Sequence, residues 1–163
     1  MAFHITETFP YSQAIADTST SVEVPKGTIV RALDPTYLAG EFIYLTGVAS
    51  TVVGSIVVYS PDDFTTALAS ANAVGPVAVA MSINVASQYG WYQIGGKAVG
   101  KVLSGFADNG DCYLTSTAGS IDDADAAGDF VSNMLGASAI GTPSAGLAEL
   151  EIWRPFVRDG KDD

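Results

Sequence analysis

Few side chains in this sequence are equipped for chemistry, and their spacing narrows the field further. Histidine occurs once, as His4, in a polar N-terminal stretch remote from any pocket-forming strand. A serine–histidine–acid relay would have to recruit that single imidazole, and its position suits a solvated or contact-making residue better. Cysteine also occurs once, as Cys112. It has no second cysteine for an internal disulfide and no histidine but His4 to activate it as a nucleophile, so it reads as a small buried hydrophobe. One cysteine and one histidine cannot make a structural zinc site.

Two short patterns carry a mechanism in outline. Gly95-Gly96-Lys97-Ala98-Val99-Gly100-Lys101 has the spacing of a phosphate-binding loop. The next residue is Val102, where magnesium coordination wants serine or threonine, and no helix follows to offer its N-terminus to phosphate. Glycines that let a strand bend are the simpler reading. Counting from Asp123, acids fall at the first, third and seventh places of a calcium loop, with Gly128 at the sixth. Ala127 and Met134 occupy the fifth and twelfth places, where oxygen ligands belong, so a solvated acidic loop is preferred. Asp and Glu are numerous, but no pair is marked out for glycoside hydrolysis. The expectation is a protein without catalytic residues, cofactor or metal.

The elements that would position any site are strands. Short runs rich in Val, Ile and Tyr, bounded by Gly and Pro, recur along the chain. They include Thr28-Ile29-Val30-Arg31-Ala32-Leu33, Glu41-Phe42-Ile43-Tyr44-Leu45-Thr46, residues 50–59 and Val77-Ala78-Val79-Ala80-Met81-Ser82-Ile83. Tyr89-Gly90-Trp91-Tyr92-Gln93-Ile94 precedes Gly95-Gly96, and a further run covers residues 97–103. Asp108-Asn109-Gly110-Asp111 reads as a hairpin turn, since Asn-Gly accepts positive φ. Near the end, Leu150 and Ile152 face one way and Glu149, Glu151 and Trp153 the other. The apolar runs are continuous rather than alternating, which implies burial on both faces, in a sandwich, in a barrel or against another subunit. Ser60-Pro61-Asp62-Asp63 has the residues of a helix start, with a helix to about Ala71 as one reading and a loop leading to an extended segment at 65–68 as the other. The fold class expected is all-β, an antiparallel sandwich or barrel with at most one or two short helices. Residues 1–21 form an extended N-terminal arm, residues 22–157 a β-rich domain and residues 158–163 a charged tail.

Composition bounds the partners. The 163 residues carry seven Lys and Arg against eighteen Asp and Glu, a net charge of −11. No basic residue occurs between Arg31 and Lys97. Direct binding to nucleic acid or to an anionic membrane needs clustered cations, so neither is expected. Residues 42–61 and 64–96 carry no charge, but Gly, Ser, Thr and Asn interrupt both, and neither reads as a membrane span. The first residues lack the basic and apolar regions of a secretory signal. Charged residues make up only 15% of the chain, below the usual quarter. Either one core buries unusually well, or other subunits cover part of the surface.

The middle of the chain resembles small bacteriophage virion proteins, the capsid decoration (cement) and head-fibre-like proteins. The resemblance rests on Gly40-Glu41-Phe42-Ile43-Tyr44, on Gly75-Pro76-Val77-Ala78-Val79-Ala80, and on Gln88-Tyr89-Gly90-Trp91-Tyr92-Gln93-Ile94-Gly95-Gly96, and covers roughly residues 40–103. It implies a β-barrel or sandwich that forms homotrimers on the capsid exterior and bridges subunits of the major capsid protein, after synthesis in the host cytoplasm. The polar arm, anchored by Phe3, Ile5, Phe9 and Tyr11, would then lie across a neighbour, with Trp91 and Tyr92 as further partner-binding residues. The alternative is a receptor- or carbohydrate-binding head or tail fibre domain, its sugar surface lined by Trp91, Tyr92, Tyr89 and Tyr113.

Overall fold

The computed structural model describes residues 2–8 and 10–158. Every regular element among them is a strand: β1 (His4–Ile5), β2 (Thr18–Ser19), β3 (Ile29–Asp34), β4 (Leu38–Thr46), β5 (Ile56–Tyr59), β6 (Thr66–Leu68), β7 (Gly75–Ala80), β8 (Tyr89–Lys101), β9 (Asp111–Leu114), β10 (Ile121–Asp122), β11 (Phe130–Gly136) and β12 (Leu147–Val157). The strands pair antiparallel in the order β1-β3-β4-β8-β7-β12-β11-β9-β10, with β2 added to β8, and with β5 between β6 and β7. The sheet is not closed into a barrel, so the sandwich-like alternative holds.

The long strand β8 organises this sheet. Along one edge, Tyr89 to Gly95 pair with Thr46 to Glu41 of β4. Along the other edge, Tyr92 and Gln93 pair with β7, and Gly95 to Lys101 pair with Trp153 to Leu147 of β12. The glycine pair, read from sequence as letting a strand bend, lies at a bulge inside this strand. Gly96 has φ +91, and a Cβ there would stand 2.5 Å from the Ala39 carbonyl oxygen. The side chain of Gln93 stitches the bulge, its Nε2 donating to the carbonyls of Gly95 (3.0 Å) and Lys97 (3.1 Å). Glycine is needed here because the strand must turn its register while another backbone lies against it.

Continuous apolarity is explained by burial on both faces within the chain. On one face of the β4–β8 pair, Phe42, Tyr44 and Trp91 pack with Val30 and Ala32 of β3. On the other, Ile43, Leu45, Tyr92 and Ile94 pack with Val57, Ala78 and Ala80. A third cluster joins Ile56, Val79 and Ala98 to Cys112, Leu114, Val131, Leu150 and Ile152. The accessible surface is 7309 Å², close to the roughly 7,700 Å² expected of a single folded chain of this mass. The chain thus buries its continuous apolar runs within itself to the extent usual for its size.

The structure corrects two sequence expectations and decides a third. The N-terminal stretch does contribute to a core: Phe3 and Ile15 are buried, and β1 and β2 pair with β3 and β8. Gln13 clips it down, donating from Nε2 to the carbonyls of Asp17 and Tyr89 (both 3.0 Å) and accepting from the Tyr44 hydroxyl at 2.6 Å. The Trp91 indole N–H also donates to the Gln13 carbonyl, at 3.1 Å. A few apolar residues spaced among polar ones suffice, because strand partners and buried hydrogen bonds do the rest.

Of the two readings of residues 60–71, the loop leading to an extended segment holds: the chain makes one turn, Phe64 N–H to Ser60 O at 2.9 Å, and then enters β6. Asp63 diverts the chain: its Oδ1 accepts from the backbone N–H and hydroxyl of Thr65, and its carbonyl accepts from Lys26 Nζ at 2.8 Å. Local side-chain bonds of this kind compete with the helix ladder, and β6 follows directly. The Asn-Gly turn also exists, with Asn109 at φ +59, but it does not join two paired strands. Phe106 drops into the core ahead of it, and the strand it leads to, β9, pairs with β10 and β11. Of the charged tail, Arg158 is exposed, and residues 159–163 lie outside the described residues.

Two outcomes follow for the clipped segment. Gln13→Ala removes three side-chain hydrogen bonds, one of them from the buried Tyr44 hydroxyl, so urea denaturation should show a loss of about 2–4 kcal/mol. At Asp34, burial pushes the carboxyl pKa up, but hydrogen bonds from the backbone N–H groups of Tyr37, Ala2 and Thr36 outweigh it and hold the group below its ordinary 3.8. The unfolded chain therefore takes the proton first. The stabilisation is present above about pH 3.8 and lost as pH falls through the lower folded value. Amide protection factors at residues 2–6 should fall on acidification in wild type, and Asp34→Asn should show that lowered protection already at pH 7.

Candidate functional site

The residues singled out from sequence do not form one surface. Phe3 is buried edge-on against Phe42, ring centres 4.8 Å apart, and Ile5 is half-buried on the same cluster. Tyr11 is exposed, and Phe9 lies outside the described residues. Trp91 and Tyr92 have no exposed surface and point to opposite faces of the sheet. Trp91 packs edge-on to Tyr44, and the Tyr92 hydroxyl lies 3.2 Å from Asn84 Nδ2. Tyr113 is also buried, and Tyr89 is half-buried. Successive residues of a strand face opposite sides, so in a sheet covered on both sides this aromatic run fills the core and lines no sugar surface.

The chemically suggestive residues are equally dispersed. His4 is exposed on the edge strand β1. Cys112 is fully buried, and burial, followed by the charges of Asp111 and Asp123, pushes its thiol pKa up to about 12. Gly95 to Lys101 form the C-terminal half of β8, a bulged strand and not a loop. In the acidic stretch, Asp129 accepts from the Asn72 N–H at 2.6 Å and Asp123 from the Ala107 N–H at 3.0 Å, so both carboxylates serve as loop fasteners. Among the described residues, no three His, Cys, Asp or Glu side chains converge on a point that would hold a metal.

The structure does assemble one composite surface that the sequence left scattered. Strand register lines up Arg31 of β3, Glu41 of β4, Gly95 of β8 and Trp153 of β12 as successive cross-strand neighbours. Trp153 is 58% exposed, although Ile152 before it and Pro155 after it are buried. Local backbone geometry makes this arrangement. Arg154 takes φ +50, and residues 153–155 are opposed on β11 by Asn133 alone, itself at φ +61. At this double irregularity β12 leaves β8 and continues along β7, so that Trp153 and Arg154 are exposed in succession. Bulges commonly re-aim side chains in this way.

Around the indole, opposite charges are fixed in pairs. Arg154 meets Glu41 at 3.0 Å, and Lys97 meets Glu149 at 2.6 Å. The hydrogen bond that Lys97 donates to Glu149 raises the Lys97 pKa, against a smaller opposing effect of burial. Such partly exposed pairs add little stability; what they supply is a fixed pattern of charge. Beside them lies a shallow hollow of about 180 Å³, lined by Arg31, Ala39, Gly40, Glu41, Gly95 and Gly96. Bare glycine backbone forms much of its floor. An exposed indole edged by held charges and an open hollow is suited to adhesion, with the aromatic ring as anchor.

Part of this was visible in sequence: alternation along β12 set Trp153 on the polar face. Its neighbours were not visible, because Arg31, Glu41 and Gly95 reach it only through pairing across four strands. Comparison with protein-family models, with curated proteins and with solved structures gives no match.

Trp153→Ala should change folding stability by no more than about 0.5 kcal/mol in thermal or urea denaturation, as for other surface positions. Cys112 should resist a thiol reagent at pH 8 in the folded protein and react at once in denaturant.

Proposed function

We propose that the protein is a structural component of a phage virion, which decorates the head exterior and works by adhesion, with the Trp153 face as its anchoring surface. The observation that carries the reading is Trp153 itself: a large aromatic left exposed in a chain that buries its other tryptophan completely, on a face where charges are held in pairs. A buried-ring anchor with a polar rim is the usual anatomy of a protein interface. The resemblance of residues 40–103 to decoration proteins supplies the setting, namely the major capsid protein as partner and a homotrimer as the assembled unit. Repetition over a capsid lattice multiplies modest single contacts by avidity. The first residues are held against the domain itself, so this reading no longer relies on an arm reaching a neighbour.

A second reading is favoured by the same surface. An indole beside a hollow lined by Arg31 and Glu41 also suits a sugar ring, which stacks its apolar face on the aromatic and presents hydroxyls to the charged groups. A carbohydrate-binding fibre domain would therefore use Trp153, not Trp91 or Tyr92.

Co-sedimentation with purified phage heads separates the two. The first reading expects wild type to saturate heads and Trp153→Ala to bind at least tenfold more weakly, with Tyr11→Ala unchanged. Glycan-array binding that depends on Trp153, without head binding, would support the second. Undiminished head binding by Trp153→Ala would overturn the proposed anchor.

A further inference from the structure

The chain has four asparagines, Asn72, Asn84, Asn109 and Asn133, and the fold treats them differently. An asparagine is chemically vulnerable when the backbone nitrogen of the next residue is free to attack its side-chain amide. After Asn84 that nitrogen belongs to Val85 and donates to Gln88 Oε1, and Asn84 itself is fully buried. After Asn72, the Ala73 N–H donates to the Ser70 carbonyl at 3.0 Å. Asn133 is followed by Met134, which is buried and paired with Ile152. Asn109 differs from all three. It is exposed in the turn between β8 and β9, at φ +59. Among the described residues, neither its side chain nor the Gly110 N–H makes a hydrogen bond. Gly110 also brings no side chain to hinder approach to its nitrogen.

We infer that Asn109 is a site of spontaneous, base-promoted deamidation, the one asparagine of the four that the fold leaves open to it. Hydroxide removes the Gly110 N–H proton, and the nitrogen attacks Cγ of Asn109. The N–Cγ bond forms, the Cγ–Nδ2 bond breaks, and the amide nitrogen takes a proton from water and leaves as ammonia. Water then opens the five-membered succinimide ring at one of its two carbonyl carbons. Opening at Cγ restores the ordinary main chain, with an aspartate at position 109. Opening at the main-chain carbonyl leaves the chain running through the former side chain, as isoaspartate. The balance is one amide and one water converted to one carboxylic acid and one ammonia, with no oxidant or reductant.

The surroundings give this reaction a structural consequence. Both ends of the turn are fixed: the Ala107 N–H donates to Asp123 Oδ2 at 3.0 Å, and the Gly110 carbonyl accepts from the Gly136 N–H at 2.9 Å. Phe106 just before it is buried in the core, and a Cβ on Gly110 would stand 2.9 Å from Cβ of Asp123. Isoaspartate inserts a further carbon into the main chain between these fixed points, so one of them must give. Either product also adds a carboxylate beside Asp108, Asp111 and Asp123, in a chain whose net charge is already −11. Like charges gathered in this way repel and work against the compact state. The deamidated turn therefore holds Phe106 and the start of β9 less firmly, and the change accumulates as the molecule ages.

Ageing the intact folded chain in water enriched in oxygen-18, at pH 9 and at pH 6, tests this by peptide mass spectrometry. Position 109 should take up labelled oxygen at least tenfold faster at pH 9 than at pH 6. It should also convert at least tenfold faster than positions 72, 84 and 133. Asn109→Gly suits the left-handed backbone and has no side-chain amide to lose. Its melting temperature should stay constant on ageing, whereas that of wild type should fall. An asparagine that stays intact at position 109 in the folded chain at pH 9, while a sample unfolded in guanidinium converts there, would overturn the inference. Faster conversion at any of the other three asparagines would overturn it as well. A converted chain that melts at the same temperature as the fresh one would contradict the loosening of the turn.

Discussion

The fold depends on burying the β4–β8 strand pair from both sides at once. Ile43 and Leu45 need cover on one face, Phe42, Tyr44 and Trp91 on the other, and alternating side chains give neither face a polar outlet. On the first face the cover is β5 and β7, contributed by the middle of the chain. On the second it includes the N-terminal segment, which is mostly polar and brings only Phe3, Ile5 and Ile15 to the cluster. That segment would be a weak lid by apolar burial alone. The hydrogen bonds of Gln13 to Tyr89, Asp17, Tyr44 and Trp91 make it a specific one.

The same demand shapes the candidate site. For β12 to cover the third cluster it must follow β8 and then cross to β7, and the crossing produces the irregularity at Arg154. Residues 153 and 154 are exposed there because the chain changes partners, and the glycine bulge of β8 lies directly opposite Trp153. The surface that offers an anchor is thus a by-product of how the sheet is closed around its cores. Non-glycine residues in left-handed backbone are strained positions that surrounding structure must hold in place, and here they border the one face with an exposed tryptophan.

Much of this was legible in the sequence, for physical reasons that can be named. Val- and Ile-rich runs between Gly and Pro located most strands, and their unbroken apolarity announced burial on both faces. Alternation in residues 149–153 set Trp153 apart from Leu150 and Ile152. The N-terminal segment was illegible as a lid because its contribution comes from one glutamine side chain, whose value depends on partners some 30 to 80 residues away. The helix start at residues 60–63 had the right residue types, and the aspartate that suits a first turn also captured Thr65 and ended it. Trp91 and Tyr92 drew attention as an aromatic cluster, but adjacent residues of a strand cannot share a face. Pairing order, which no local pattern encodes, decided both which aromatics were buried and which distant residues became neighbours of Trp153.

The central claim is that the molecule acts through the exposed indole while the other tryptophan serves only the core. Hydroxyl-radical footprinting read at both tryptophans tests it within a single sample. The account predicts rapid oxidation of Trp153 in the dissociated chain, strong protection of Trp153 once the protein is bound to heads or to its own copies, and an unreactive Trp91 throughout. Equal oxidation of Trp153 in the free and assembled protein would contradict it.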